Sequence, residues 1–373
     1  MGASTWGGSE DLWAAMALRA VQQGHQVAAY LRRPEAEHPK IELLRTGGVT
    51  VQFCPPFAPA PLSVESLTLR AKGFFGRKPS PFDDLLRSRP EVVLINEGGF
   101  YSPADVTECA GILQASGTPY VVVCCGTDGL PPPEAASSVV AEYYARAHSV
   151  LFHAETTLKA VQRQLARSIP NARIVGDPIN LPEPVRLPWP SGEAVLASVA
   201  SLDARWKGQD ILFEALSTPE WLQRSWRLSV FGEGNDRAYL ARLVEYFGLA
   251  GRITLYGHCE DIRSVWANHH ALVLPSRHES APRALIEAMV CGRPVIAADA
   301  GGVREWLREG QNGFIAEAAT ARSFGLALER AWAAQDQWEH MGERGHADAC
   351  AKLDPDPAGA LLNLMMEAQR RNE

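Results

Sequence analysis

The chain has 373 residues, too many for one ordinary core and enough for two domains of roughly 150 to 200 residues each. Hydrophobic residues make up 46% and charged residues 21%, which excludes wholesale disorder. A net charge of −7, from 36 Lys plus Arg against 43 Asp plus Glu, lacks the basic excess of phosphate-backbone binding and excludes nucleic acid as the default partner.

The chain opens on a glycine-containing loop, Gly7-Gly8-Ser9-Glu10, that runs into an amphipathic helix carrying Leu12, Trp13, Met16 and Ala17. No strand stands in front of it. The expectation is an amino-terminal sheet without its first strand, either because that strand lies ahead of the sequence given or because the sheet lacks it. Apolar runs of strand length then alternate with helical patterns: 27–31, 49–53, 92–96, 120–125, 150–153 and 174–175. Alternation of this kind predicts βα units and a parallel sheet covered on both faces.

Asp177–Pro190 is dense in proline, which blocks helix and central strand alike, and is the candidate interdomain linker. After it the alternation restarts, with strands at 195–200, 227–231, 253–256, 271–274 and 294–298 and helices at 209–216, 237–247, 261–267 and 282–291. The predicted fold class is α/β, two Rossmann-like domains facing across a cleft. The expected division is 1–176, a linker at 177–190, a second domain at 191–353 and a terminal helix at 354–373 that packs on the first domain. Carboxyl-end loops of open α/β sheets are where ligands bind.

The segment Leu274-Pro-Ser-Arg-His-Glu279-Ser-Ala-Pro282 joins a strand to a helix, with Pro282 suited to a first helical position. Glu279 falls on that loop, beside a helix N-terminus whose unpaired N–H groups attract phosphate. Glu287 sits inside the apolar helix that follows, and a buried carboxylate needs partners. Ribose hydroxyls would serve, and so would an ion pair with Arg283 or Arg293. Lys207-Gly208, after the first strand of the second domain, can bring a compact cation to a diphosphate; an ordinary surface lysine is the bland alternative. Gly232 and Gly234, Gly257 with His258, and Gly301-Gly302 each follow a strand, where a missing Cβ lets backbone approach a ligand.

Other patterns carry less. Asp354-Pro-Asp356 has the form of a D-x-D metal motif but suits a helix start. His278-Glu279 lacks the second histidine of a zinc-protease helix, and Gly232-x-Gly234 lacks the third glycine of a dinucleotide fingerprint. The seven cysteines form no C-x-x-C pair and read as reduced core thiols. No run reaches the roughly eighteen apolar residues of a membrane span. The expected location is cytoplasmic. Arg70–Lys78 packs four cations and two aromatics without an acid, a solvated loop or a peripheral contact with anionic lipid at the inner membrane face.

Taken in order, Lys207-Gly208, the E-x7-E pair Glu279 and Glu287, and Asn312-Gly-Phe314 resemble the donor domain of retaining GT-B glycosyltransferases of the family 4 type, from about Val195 to Ala349. Gly7-Gly8-Ser9-Glu10, Gly24-His25 and Asn96-Glu-Gly-Gly99 match more loosely in the first half. The resemblance implies a hexosyltransferase-type enzyme that moves sugar from a nucleotide-diphosphate sugar to an acceptor hydroxyl with retention, in surface polysaccharide, glycolipid or natural-product glycoside synthesis. It implies no bound cofactor, no metal, and a glycan, lipid-linked or small-molecule acceptor. By matching positions, Glu279 holds sugar hydroxyls, Glu287 the ribose, Lys207 the diphosphate, backbone at Ser280 and Ala281 the sugar or phosphate, Gly7 and Gly8 the diphosphate, and backbone near His258 the base; Gly232 joins the donor set. The chain departs from the family pattern at Ser201, where an arginine is usual and Arg205 is the candidate substitute, at Ser280, where glycine is usual, and at Cys124-Cys125-Gly126, where a histidine is frequent. Rival readings are a nucleotide-sugar epimerase or phosphorylase on the same architecture, or a degenerate sugar-nucleotide-binding protein without turnover.

Overall fold

The computed structural model describes residues 6, 8–32, 37–54, 87–97, 103–126 and 129–370. The chain forms two compact units, one of Met1–Phe152, Leu158–Val175 and Asp356–Glu373, the other of His153–Thr157 and Gly176–Pro355.

The first unit holds two parallel sheets. Strands β1 (Ala28–Arg32) and β2 (Thr50–Cys54) pair with each other, and β3 (Val93–Glu97), β4 (Tyr120–Cys124), β5 (Ser149–Phe152) and β6 (Ala172–Ile174) form the order β3-β4-β5-β6. Among the described residues no strand joins β1 to β3. Helix α1 (Gly8–Gln22) spans that division through its side-chain spacing. Leu12, Met16 and Ala20 pack with Val121, Val123 and Leu151, while Trp13, Ala14 and Ala17 pack with Ala29, Leu44 and Val49. Residues four apart share one helix face, so two adjacent faces serve two cores.

Helices α2 (Pro39–Thr46), α3 (Pro103–Ser116), α4 (Glu134–Arg146) and α5 (Glu155–Leu165), the last from Leu158 onward, complete the βα units of this unit. β4, the run Tyr-Val-Val-Val-Cys, is buried at every position, as a strand covered on both faces must be.

The second unit has one six-stranded parallel sheet in the order β12-β11-β10-β7-β8-β9, built from β7 (Ala194–Val199), β8 (Trp226–Phe231), β9 (Ile253–Gly257), β10 (Ala271–Leu274), β11 (Val295–Ala298) and β12 (Gly313–Ala316). The chain winds outward from β7 through β8 and β9, then returns to the other side of β7 for β10, β11 and β12. β7 and β10 therefore flank the topological switch point, where the loops leaving adjacent strands diverge and leave a crevice. β10 and β11 are buried throughout.

The helices of this unit are α6 (Ala204–Lys207), α7 (Gln209–Leu216), α8 (Pro219–Gln223), α9 (Arg237–Tyr246), α10 (Ile262–Asn268), α11 (Arg283–Val290), α12 (Val303–Trp306), α13 (Ala321–Ala333) and α14 (Trp338–Lys352). The final helix α15 (Pro357–Arg370) belongs to the first unit, where it lies on α1 and β4. Asp356 starts α15 by accepting the Gly359 N–H at 3.1 Å and pairs with Arg19 of α1, so helix-start chemistry accounts for the Asp354-Pro-Asp356 pattern.

The proline-rich stretch 177–190 is fastened along the second unit. The Arg293 side chain, 1% exposed, donates to the carbonyls of Trp266, Leu187, Gly292 and Pro188. Proline removes N–H donors but leaves every carbonyl free to accept, and that is how the stretch is held. Burial pushes the Arg293 guanidinium down to about 10.

Candidate active site

The β7 to α6 loop (200–203) and the β10 to α11 loop (275–282) leave the two strands at the switch point and touch. Helix α6 is a single turn closed by Gly208 in the left-handed region, φ 66°, where a Cβ would collide with the Pro275 carbonyl. The N–H groups of Arg277 and His278 both donate to the Trp206 carbonyl, at 2.9 and 3.3 Å, and the Trp206 and His278 rings meet edge to face at 5.0 Å. Lys207 is thereby delivered to Glu279: its Nζ donates to Oε1 at 2.8 Å, with side chains 25% and 7% exposed.

The turn after β11 supports this pair from behind. Gly301 has φ 53°, and a Cβ there would strike the Glu279 carbonyl; one on Gly302 would crowd the Ser280 carbonyl. At Gly232, φ 139°, a Cβ would strike the Ala200 carbonyl, and at Gly234 the Leu202 carbonyl. Close backbone packing therefore requires glycine at these positions.

Glu287 is 2% exposed inside α11. Of the partners considered from the sequence, neither arginine bonds it: Asn180 donates its backbone N–H and its side-chain amide to Oε1, at 2.8 and 3.1 Å. Burial raises the carboxyl's pKa, while the Asn180 bonds and the Arg283 charge oppose the rise. Oε2 receives no hydrogen bond among the described residues and keeps its acceptor capacity. Pro282 is the N-cap of α11 and not its first helical residue: its ψ of 76° is not helical, while its carbonyl already accepts from Leu285 and Ile286.

The remaining expected donor-site residues are placed as follows. Ser201 is exposed and its carbonyl accepts from Gln209 Nε2 at 2.8 Å. Arg205 is exposed with its guanidinium 5.0 Å from the Trp206 ring, on that face and not on Glu279. The Ser280 hydroxyl is buried without a hydrogen-bond partner among the described residues, and the Ala281 carbonyl accepts from Arg283 N–H at 2.8 Å. His258 stands exposed in the loop after β9. Gly8 opens α1 in the first unit; Gly7, Gly98, Gly99 and the basic loop Arg70–Lys78 lie outside the described residues.

Sequence reasoning missed Asn180 and the pair Arg277–Asp210. Asn180 is one polar residue in a proline-rich run, and no periodicity marks its target 107 positions away. In the first unit Glu97, at the carboxyl end of β3, accepts the Tyr144 hydroxyl at 2.7 Å, and burial pushes its carboxyl up to about 7. Among the described residues no group of three or more His, Cys, Asp or Glu side chains is placed to hold a metal, and no helix is long and apolar enough to cross a membrane.

Residues 182–348 match the family model described as Glycosyl transferases group 1. The lipopolysaccharide core biosynthesis glycosyltransferase LpsE of Rhizobium meliloti is 28% identical over 161 residues, 43% of this chain and 46% of that protein. The alpha-D-kanosaminyltransferase of Streptomyces kanamyceticus is 28% identical over 158 residues, 42% of this chain and 41% of that protein. The matched stretch thus spans less than half of either relative. Among solved structures, Anabaena Alr3699/HepE in complex with UDP and glucose superposes with a TM-score of 0.71 at 18% identity, covering 98% of this chain and 97% of that one. Sucrose-phosphate synthase of Thermosynechococcus elongatus gives 0.70 at 17% identity, covering 97% and 92%. At such identities the likeness shows the fold: this chain has the GT-B architecture of two Rossmann-like domains.

Proposed function

We propose that this GT-B chain, with its group 1 glycosyltransferase domain at 182–348, moves a sugar from a nucleotide-diphosphate sugar to an acceptor hydroxyl with retention at the anomeric carbon. The observation that carries the reading is the Lys207–Glu279 pair at the switch point, 2.8 Å apart and largely removed from solvent. Transfer breaks the bond from the anomeric carbon to the diphosphate and forms one to the acceptor oxygen on the same face. Negative charge builds on the departing diphosphate, and the Lys207 ammonium is a fixed cation that stabilises it without reorganisation. Glu279 accepts from the sugar hydroxyls and orients the anomeric carbon. Glu287 offers its second oxygen to the ribose hydroxyls, whose donation offsets the cost of burying the carboxylate.

Ser280 and Ala281 backbone, Gly8 and Gly7, Gly232, Ser201, Arg205 and the loop at His258 complete the proposed donor contacts. The names of two relatives, a lipopolysaccharide core biosynthesis glycosyltransferase and an alpha-D-kanosaminyltransferase, support this reading, and we extend to this chain a role in surface polysaccharide, glycolipid or natural-product glycoside synthesis, a hexose donor, a cytoplasmic location and a glycan, lipid-linked or small-molecule acceptor. Ser201 favours a second reading, a sugar-nucleotide-binding protein without turnover.

A thermal-shift panel of UDP-, GDP-, ADP- and dTDP-sugars tests the reading, since a ligand that binds the native state alone raises the midpoint. At least one donor is expected to raise it, and Glu279→Ala is expected to lower cleavage of that donor by about a hundredfold or more. A panel with no response, or turnover untouched by Glu279→Ala, overturns the transferase. Binding with no turnover in the wild type selects the second reading.

A further inference from the structure

We propose that Arg277 is a positioning residue: with Asp210 it locks the α6 turn onto the β10 to α11 loop and so sets Lys207 against Glu279. The proposal rests on the roles given above to Lys207 and Glu279.

A single helical turn does not hold itself. Nucleation fixes several residues for one hydrogen bond, and Asp203 at the N-cap of α6 makes no side-chain cap. Support comes from outside. The Ala204 N–H donates to Asp236 Oδ2 at 2.8 Å, and the Ala204 carbonyl accepts from Arg277 Nη1. The same guanidinium grips Asp210, in the first turn of α7, through Nη1 to Oδ1 at 2.8 Å and Nη2 to Oδ2 at 2.7 Å. Its own backbone N–H holds the Trp206 carbonyl at 2.9 Å. One residue, two positions before Glu279, therefore bonds to residues on both sides of Lys207.

The task needs arginine. A planar fork of donors can serve a carboxylate at both oxygens and a carbonyl at once, whereas a lysine ammonium offers one point charge. Without the clamp the turn is free to shift against Gly208 and carry Lys207 away from Glu279.

Arg277→Lys and Arg277→Gln test this, with Asp210→Asn as the independent variant should either fail to fold by thermal midpoint. The first readout is acylation of Lys207 by acetic anhydride, followed by peptide mass spectrometry, with Lys159 and Lys352 as internal references. Labelling of Lys207 is expected to rise about fivefold or more relative to those lysines, as the ion pair that shields it opens. The second is a double-mutant cycle on cleavage of the nucleotide sugar that raises the midpoint most. Arg277→Lys should cost about tenfold, chiefly in kcat, in the wild type and nothing further in a Lys207→Ala background.

Unchanged Lys207 labelling in folded variants overturns the proposal, and so do losses that multiply in the cycle. Failure of the transferase reading looks different: Lys207→Ala and Glu279→Ala leave turnover untouched, while labelling still reports whether Arg277 holds Lys207.

Discussion

The two units use the same parallel βα grammar, yet among the described residues the second has one continuous six-stranded sheet and the first has its strands divided between sheets of two and four. In the second unit β7 has hydrogen-bonded neighbours on both sides, so the loops leaving β7 and β10 start from fixed points and can be pressed together backbone to backbone. In the first, among the described residues, β1 and β2 meet the remaining strands through packing with α1 and with Leu94 of β3. A two-stranded sheet has little stability of its own and needs a packed helix. The Lys207–Glu279 pair stands where the loops leave the paired strands β7 and β10.

The sharpest way to break this comparison is Gly301→Ala. Its φ of 53° and the Glu279 carbonyl in the path of a Cβ predict a loss of about 3 kcal/mol or more in denaturant unfolding and a collapse of donor cleavage. The same change at Gly117 of the first unit, φ 67° with nothing near its Cβ, should cost only about 1 kcal/mol. Equal losses at the two sites would remove the distinction.

Native-state hydrogen exchange gives the next largest effect. Amides of β1 and β2 should be protected at least about a hundredfold less than those of β7 and β8, because opening a pair costs less than opening a sheet centre. Matching protection would show that α1 alone confers the rigidity of a continuous sheet.

Each unit also buries a carboxyl, and pH separates the two. Glu97 has a folded value near 7, above its ordinary 4.5, because burial penalises the charged form. The protonated group's contribution is fully present below about 4.5 and is lost as pH rises to about 7, a change on the order of 2 to 3 kcal/mol. Glu97→Gln should flatten that slope in unfolding measured from pH 4 to 8. An unchanged slope would place the titration elsewhere.

The smallest effect is expected at Asn180→Ala, which removes one of the two bonds to Glu287 Oε1 and should lower stability by about 1 to 2 kcal/mol. Because those bonds favour the ionised form, the loss should shrink as pH falls and Glu287 takes up a proton. A pH-independent loss would make the contact one of packing alone.

Local pattern carried much of the architecture. α7 at Gln209–Leu216 and β10 at Ala271–Leu274 fall where hydrophobic periodicity puts them, since burial of one face is a property of neighbouring residues. The order of apolar strand, polar loop and apolar helix likewise places Glu279 on a loop and Glu287 in the helix behind it. What could not be read is which groups meet: Lys207 and Glu279 are 72 positions apart, and their contact depends on β10 returning to the open side of β7. In the proline-rich stretch, composition speaks to the N–H groups it lacks and is silent on the carbonyls that Arg293 collects.

Residue order alone therefore determined the alternating strands and helices, the buried runs and the side chains with the right chemistry, all of which follow from periodicities a few residues long. Strand order, the glycine contacts that press three loops together and the partners of each buried acid were decided only on folding. Those contacts join residues far apart along the chain, and their geometry exists only once the crossovers have closed the sheet.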